Sequence, residues 1–121
     1  MRRFLLFVFV PVIALAQPAI PTEFPPEAQL FAPDALKERM AGKTFTFVSV
    51  AGDTVRIQYQ ESHAYFNVGR ANDSGKWRVE GSSICYEWRN FPRGCSEHRQ
   101  VGELVYVKRY SNGEVVVLKQ K

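Results

Sequence analysis

The chain has 121 residues, a formal net charge of +4 and 2 cysteines. Basic and acidic residues are interleaved along it, as in Arg78 and Glu80 or Glu97 and Arg99. Nucleic-acid-binding proteins usually gather their basic residues on one face, so this pattern argues against a nucleic-acid partner. No internal repeat and no second domain are visible.

The N-terminus has the pattern of a secretory signal. Arg2 and Arg3 precede a 13-residue apolar run, Phe4 to Ala16, which ends in the small-x-small sequence Ala-Leu-Ala. A transmembrane helix needs about 20 apolar residues, and this run is shorter and contains Pro11. We therefore predict a cleaved signal peptide over residues 1–16 and a soluble periplasmic protein with no stable membrane anchor. Removal of the signal peptide leaves a net charge of 4 − 2 = +2, which is only mildly basic.

A proline-rich segment and a short helix follow. Four prolines in residues 17–31 predict an extended linker or mobile arm. Residues 32–42 predict a helix, because Pro33 suits the first helical position. Leu36 and Met40 are its apolar stripe. So short a helix is not stable alone in water, so we expect it to plug one end of the main fold.

After Lys43 the hydrophobic pattern alternates with a period of two, as in β-strands. It predicts about eight strands, near residues 44–50, 55–59, 64–68, 76–80, 84–89, 95–101, 104–110 and 115–118. Turn sequences separate them, including Asn72 to Gly75 and Ser111 to Gly113. Without helices between them the strands pair antiparallel, and closing the sheet removes both exposed edges. We predict one domain over residues 32–121, a small up-and-down barrel, with a two-sheet sandwich as the alternative.

The predicted export bears on the chemical state of the two cysteines. In an oxidising compartment a short domain with two cysteines most simply forms one disulfide, so we predict Cys85 bonded to Cys95. Closing this loop stabilises the fold by roughly 3 kcal/mol in the chain-entropy model. No C-x-x-C motif is present, and neither His63 nor His98 has the spacing of a zinc site. We expect no metal and no cofactor.

The order of these features resembles a family. Along the chain come Gly42-Lys43-Thr44, Tyr65-Phe66, Gly75-x-Trp77, Cys85 with Trp88, Cys95, Gly102 and Tyr106. This order is similar to that of small exported bacterial proteins of unknown function that are predicted to form lipocalin-like barrels. The resemblance covers about Ala35 to Leu118. It implies a fold and an exported location, and it implies no catalytic residues.

The barrel interior is the first candidate binding site. Many bulky side chains compete for it, and at an interior packing density of about 0.75 they leave little room. We therefore expect a shallow apolar cleft at the open end, bordered by Tyr86 or Trp88, in place of a deep cup. The predicted function is a binding module for a small apolar ligand.

The tip of the disulfide-closed loop, residues 89–94, is the second candidate. Arg89 and Arg93 flank Phe91, and aromatic and arginine side chains are typical interface anchors. Phe91 either anchors a periplasmic protein partner or folds back over the barrel mouth. We favour the second, because apolar residues at loop tips usually bury themselves. A partner-binding or inhibitor-like protein is the alternative function.

His98 has two interpretations. If its strand face is the interior, this polar side chain needs partners and marks a ligand site. If its strand is an exposed edge, His98 is solvated, which we favour. No nucleophile elbow, zinc helix or phosphate loop is present in the sequence. We therefore predict that the protein is not an enzyme.

Overall fold

The computed structural model describes residues 19–121, so the predicted signal peptide lies outside the described residues. The elements are β1 (Gln29–Leu30), α1 (Pro33–Met40), β2 (Thr44–Val48), β3 (Thr54–Tyr59), β4 (His63–Val68), β5 (Ala71–Glu80), β6 (Ser83–Trp88), β7 (Gly94–Val101), β8 (Leu104–Lys108) and β9 (Val115–Gln120). Over residues 19–121 no helix has the length and hydropathy needed to cross a bilayer.

Strands β2 to β9 form a closed antiparallel barrel. Each strand pairs with the next along the chain, and β9 returns to pair with β2 through Thr46 and Lys119. This confirms the predicted up-and-down barrel of eight strands. Alternate side chains point inward, so Phe45 and Phe47 of β2 are buried while Val48 is exposed.

Helix α1 plugs one end of the barrel, as predicted. Pro33 occupies its first turn, and Gly42, with φ of 77°, follows its last turn in the left-handed region that favours glycine. Leu36 and Met40 are both 0% exposed and belong to the same core cluster as the barrel interior. The apolar stripe of the helix is therefore the reason that it packs here.

Three hydrogen bonds tie this segment to three loops at the same end. They run from the Phe31 N–H to Ser82 Oγ (3.0 Å), from the Lys37 ammonium to the Glu61 carbonyl, and from the Arg39 guanidinium to the Glu103 carbonyl. The Lys37 ammonium also lies 4.0 Å from the centre of the Trp77 ring. Helix α1 is thus held by polar contacts to the surrounding loops as well as by its apolar face.

The described part of the predicted linker lies along the barrel. The Pro21 carbonyl accepts a hydrogen bond from the Val115 N–H (2.7 Å). The short strand β1 pairs with Arg99 and Gln100 of β7. The sequence did not predict β1, because two residues are too few to show a periodicity.

Strand β5 is longer than predicted, and the turn predicted at residues 72–75 is wrong. These residues pair with β4 throughout. The actual turn is Gly69-Arg70, where Gly69 has φ of 56°. Asn, Asp, Ser and Gly are typical turn residues, but the carboxylate of Asp73 here binds a neighbouring loop, and the strand continues through it.

The disulfide between Cys85 and Cys95 is present, as predicted. The two residues stand directly opposite each other on β6 and β7. Among residues 19–121 no cysteine is free. The bridge closes the base of the loop at residues 89–93 and so fixes where that loop leaves and re-enters the barrel.

Candidate functional site

The barrel opens at the end opposite helix α1. Because the strands alternate in direction, the loops at residues 49–53, 69–70, 89–93 and 109–114 all lie at this end. A cavity of about 540 Å³ reaches from the loops at residues 89–93 and 109–114 into the barrel. Its volume lies in the range typical of small-molecule pockets.

The cavity is deeper than the packing argument predicted, because it extends down to Tyr59. At the plugged end Tyr59 packs edge-on against Phe45 and Trp77, with ring centres 6.1 and 5.0 Å apart. Above this layer, smaller apolar side chains such as Val55 and Val107 line the cavity together with aromatic rings. The valines leave space inside the barrel that an estimate from the bulky residues alone does not show.

One wall of the cavity is aromatic. Tyr86 and Trp88 both point inward from β6, and their rings stack nearly parallel, 5.0 Å apart with an interplanar angle of 8°. Trp88 packs edge-on against Phe66 (4.7 Å), which packs edge-on against Phe91 (5.0 Å). Phe91 therefore folds back onto the barrel, as the favoured interpretation predicted, but the burial expected with it is not found, because 41% of the residue stays exposed. It forms part of the rim and leaves the mouth open.

Two tyrosine hydroxyls lie at the floor of the cavity. The oxygens of Tyr59 and Tyr86 are 2.5 Å apart. Burial raises the pKa of both phenols, so both keep their protons near neutral pH. One hydroxyl donates to the other, and the described residues provide no second hydrogen bond to either. One buried O–H donor is therefore available to a ligand.

Asp73 positions the loop at residues 89–93, which forms part of the cavity rim and is called the rim loop below. Its carboxylate accepts hydrogen bonds from the N–H groups of Asn90 (2.9 Å), Phe91 (3.0 Å) and Ser74 (2.8 Å). Burial by itself raises the pKa of Asp73, but these donors and the Asn90 side chain outweigh it and hold the pKa below its usual value. The sequence analysis missed this role, because the partners of Asp73 lie on a loop that is distant along the chain.

Replacing Asp73 with asparagine is expected to free the rim loop. The amide has one acceptor oxygen where the carboxylate has two, and it carries no charge, so the hydrogen bonds from the Ser74, Asn90 and Phe91 N–H groups are weakened. Amide hydrogen exchange measured by NMR should quicken at Asn90 and Phe91. Asp53→Asn, in an exposed loop of the same end, is the matched control and should leave that exchange unchanged.

The same loop should also loosen in acid. Since the pKa of Asp73 lies below 3.8, its carboxylate stabilises the fold above that pH, and this contribution is lost as the pH falls through the folded-state pKa. Exchange at Asn90 and Phe91 should quicken in this range in the wild type. Equal protection of these amides in the wild type and in D73N at neutral pH would contradict the role given to Asp73.

The rim carries two arginines in different environments. Arg109 is paired with the buried Glu114 (3.2 Å), and its guanidinium lies 5.1 Å from the centre of the Phe47 ring. Arg93 has a side chain that is 72% exposed, and its nearest carboxylate, on Glu87, is 3.9 Å away. Arg109 is thus fixed in the wall, whereas Arg93 is the charge at the rim that is accessible to a ligand. The sequence analysis did not identify Arg109 or Glu114.

The structure distributes the six predicted binding residues over three places. Four of them line the cavity: Tyr86, Trp88, Phe91 and Arg93. Arg89 lines a separate groove on the outside of the barrel. His98 is fully buried and does not line the cavity.

The interpretation of His98 as a solvated residue on an exposed edge is wrong. It is 0% exposed, because β7 pairs with both β6 and β8 and is not an edge. Its Nδ1 donates to the Ser96 carbonyl (2.8 Å), while its Nε2 is buried without a partner among the described residues. Burial lowers the pKa of His98 to about 4. The ring is therefore a neutral member of the core.

Comparison with protein-family models, with curated proteins and with solved structures finds no match to this chain. The resemblance to exported bacterial barrel proteins stays a prediction.

Proposed function

We propose that this protein is a non-catalytic binding protein that takes a small, mostly apolar ligand into the barrel cavity. The observation that carries the proposal is the cavity of about 540 Å³, which has an aromatic wall and an apolar lining and is open at one end. Burying the apolar body of a ligand against Trp88 and Val107 supplies the main driving force, about 25 cal/mol for each Å² removed from water.

The floor of the cavity selects the polar end of that ligand. The phenols of Tyr59 and Tyr86 share one hydrogen bond and leave one O–H to donate. A carbonyl or ether oxygen satisfies this donor at little cost, whereas a charged group there loses its hydration. We therefore infer a neutral acceptor at the deep end of the ligand. Arg93 at the rim suits a second, polar or anionic group near solvent.

The rim loop is better suited to bordering the ligand cavity than to binding a separate protein partner. Phe91 packs on Phe66, and its backbone is held by Asp73. The contact with Phe66 holds Phe91 at the cavity mouth, and Asp73 fixes the backbone that carries it. We also infer that the protein works in the periplasm, since a structural disulfide such as Cys85–Cys95 persists in an oxidising compartment.

Filling the cavity is expected to abolish binding. Val107 points into the cavity, so Val107→Trp should occupy the space that the ligand needs. Val48→Trp introduces the same side chain at a position that is 63% exposed and is the matched control. Binding is measured by quenching of tryptophan fluorescence and by thermal shift, using medium-chain methyl ketones and the alkanes of equal length. Ketones should bind the wild type and V48W but not V107W.

The tyrosine pair gives the same experiment a second readout. Replacing both Tyr59 and Tyr86 with phenylalanine removes the free phenolic donor, so this double variant should bind the ketone about fivefold to tenfold more weakly and bind the alkane as the wild type does. No thermal shift from any apolar or amphipathic compound, or equal binding to the wild type and V107W, would exclude the cavity as the binding site.

A further inference from the structure

A second concave site lies on the outside of the barrel, and of its described lining residues only Phe66 also lines the interior cavity. It is a groove of about 450 Å³ across β3, β4 and β5. Two cross-strand rows form its base: Arg56, Asn67 and Asn72 in one, and Gln58, Tyr65 and Ser74 in the other. Alternation along each strand places these side chains on the outer face, opposite those that line the cavity.

The groove is positively charged. Arg56 and Arg89 both line it, and within residues 19–121 neither belongs to an ion pair. Asp73 is the one acidic residue in the described lining, and both of its carboxylate oxygens already accept N–H groups. Two guanidinium groups against one carboxylate leave the lining with a net positive charge, so the groove attracts an anion.

Arg89 is held in place at one side of the groove. Its backbone N–H donates to the Ser74 carbonyl (3.0 Å), and the neighbouring Asn90 is bound by Asp73. Arg56 lies on the other side, on β3. Three strand spacings separate the two backbones, roughly 14 Å. A ligand of roughly this length can span the groove from one arginine to the other.

The base of the groove favours a sugar. The ring of Tyr65 is 42% exposed between the two arginines, and side-chain amides of Gln58, Asn67 and Asn72 surround it. An exposed aromatic ring packs against the C–H face of a pyranose, and amides both donate to and accept from hydroxyl groups. We propose that this groove binds an acidic saccharide, whose sugar ring packs on Tyr65 and whose carboxylate or phosphate groups bind Arg56 and Arg89.

NMR titration of the purified, disulfide-bonded protein tests the proposal. The probes are a galacturonic acid trisaccharide, glucose 6-phosphate, a neutral glucose trisaccharide and inorganic phosphate. The acidic saccharides should shift the amides of Arg56, Tyr65 and Arg89, with an affinity that falls as salt is added. The neutral trisaccharide and inorganic phosphate should bind at least tenfold more weakly. A uronate-only or a phosphosugar-only response identifies which acidic group the groove takes.

Exposed variants separate recognition from folding. Arg56→Gln and Tyr65→Ala should each weaken the binding of the acidic saccharide by about tenfold. Arg78→Gln changes an outward arginine of β5 that does not line the groove, and it should bind like the wild type. The cavity variant V107W should also keep saccharide binding, because the two sites are separate. The proposal would be overturned if inorganic phosphate bound as tightly as the acidic saccharides, or if R56Q and R78Q lost the same affinity. It would also be overturned if no saccharide shifted the amides of the groove.

Discussion

Replacing Leu36 with alanine is expected to lower the free energy of unfolding by about 2–5 kcal/mol. Leu36 is 0% exposed and is one of only two buried residues of α1. A helix of 8 residues is not stable alone in water, so it forms because this side chain and Met40 enter the barrel core. Proteins of this size have total stabilities of about 5–10 kcal/mol, so the loss is a large share. Urea denaturation measures it directly.

A second leucine provides the control. Leu104→Ala makes the same chemical change at a position that is 49% exposed, and its effect should stay within about 0.5 kcal/mol. Hydrogen exchange in α1 should quicken in L36A while the β6 and β7 amides beside the disulfide stay protected. If L36A is as stable as L104A, the helix is not the structural plug described above.

Acid is expected to destabilise the fold through His98, with the largest change between about pH 6.5 and 4. Burial lowers the pKa of His98 from 6.5 to about 4, and the hydrogen bond to the Ser96 carbonyl opposes this only in part. Over this range the unfolded chain binds a proton that the folded chain does not. The free energy of unfolding therefore falls by about 1.4 kcal/mol for each pH unit, to a total of about 3 kcal/mol. Above this range the contribution of His98 does not change with pH.

Two variants and one direct measurement check the assignment. His98→Leu should flatten the stability profile between pH 6.5 and 4, while the exposed His63→Gln should keep the wild-type slope. NMR titration of the His98 ring in the wild type reports its pKa even if H98L does not fold. A ring that titrates near 6.5, or a slope that survives in H98L, would contradict the effect of burial.

The two proposed sites use opposite faces of one strand. On β4, Val68 lines the interior cavity and Tyr65 and Asn67 line the outer groove, while Phe66 borders both. Asp73 on β5 connects the two sites, because it holds the loop that gives Phe91 to the cavity rim and Arg89 to the groove. D73N should therefore perturb both sites, whereas V107W and R56Q should each affect one.

The sequence alone determined the class of fold and the disulfide. An alternation of period two after Lys43 is a local signal that repeats in every strand, so it identifies strands without knowledge of their partners. Leu36 and Met40 likewise identified the buried face of the helix by their spacing. Two cysteines admit only one intramolecular pairing, so Cys85–Cys95 needed no tertiary information.

Only the tertiary structure decided which face His98 occupies, where β5 begins and how much space the barrel contains. A shift of one residue in register reverses every side chain of a strand, and register depends on partners that are distant along the chain. Asp73 resembles a turn residue until the loop at residues 89–91 is brought against it. The cavity and the groove arise in the same way, because each is formed by side chains from several strands that become neighbours only when the barrel closes.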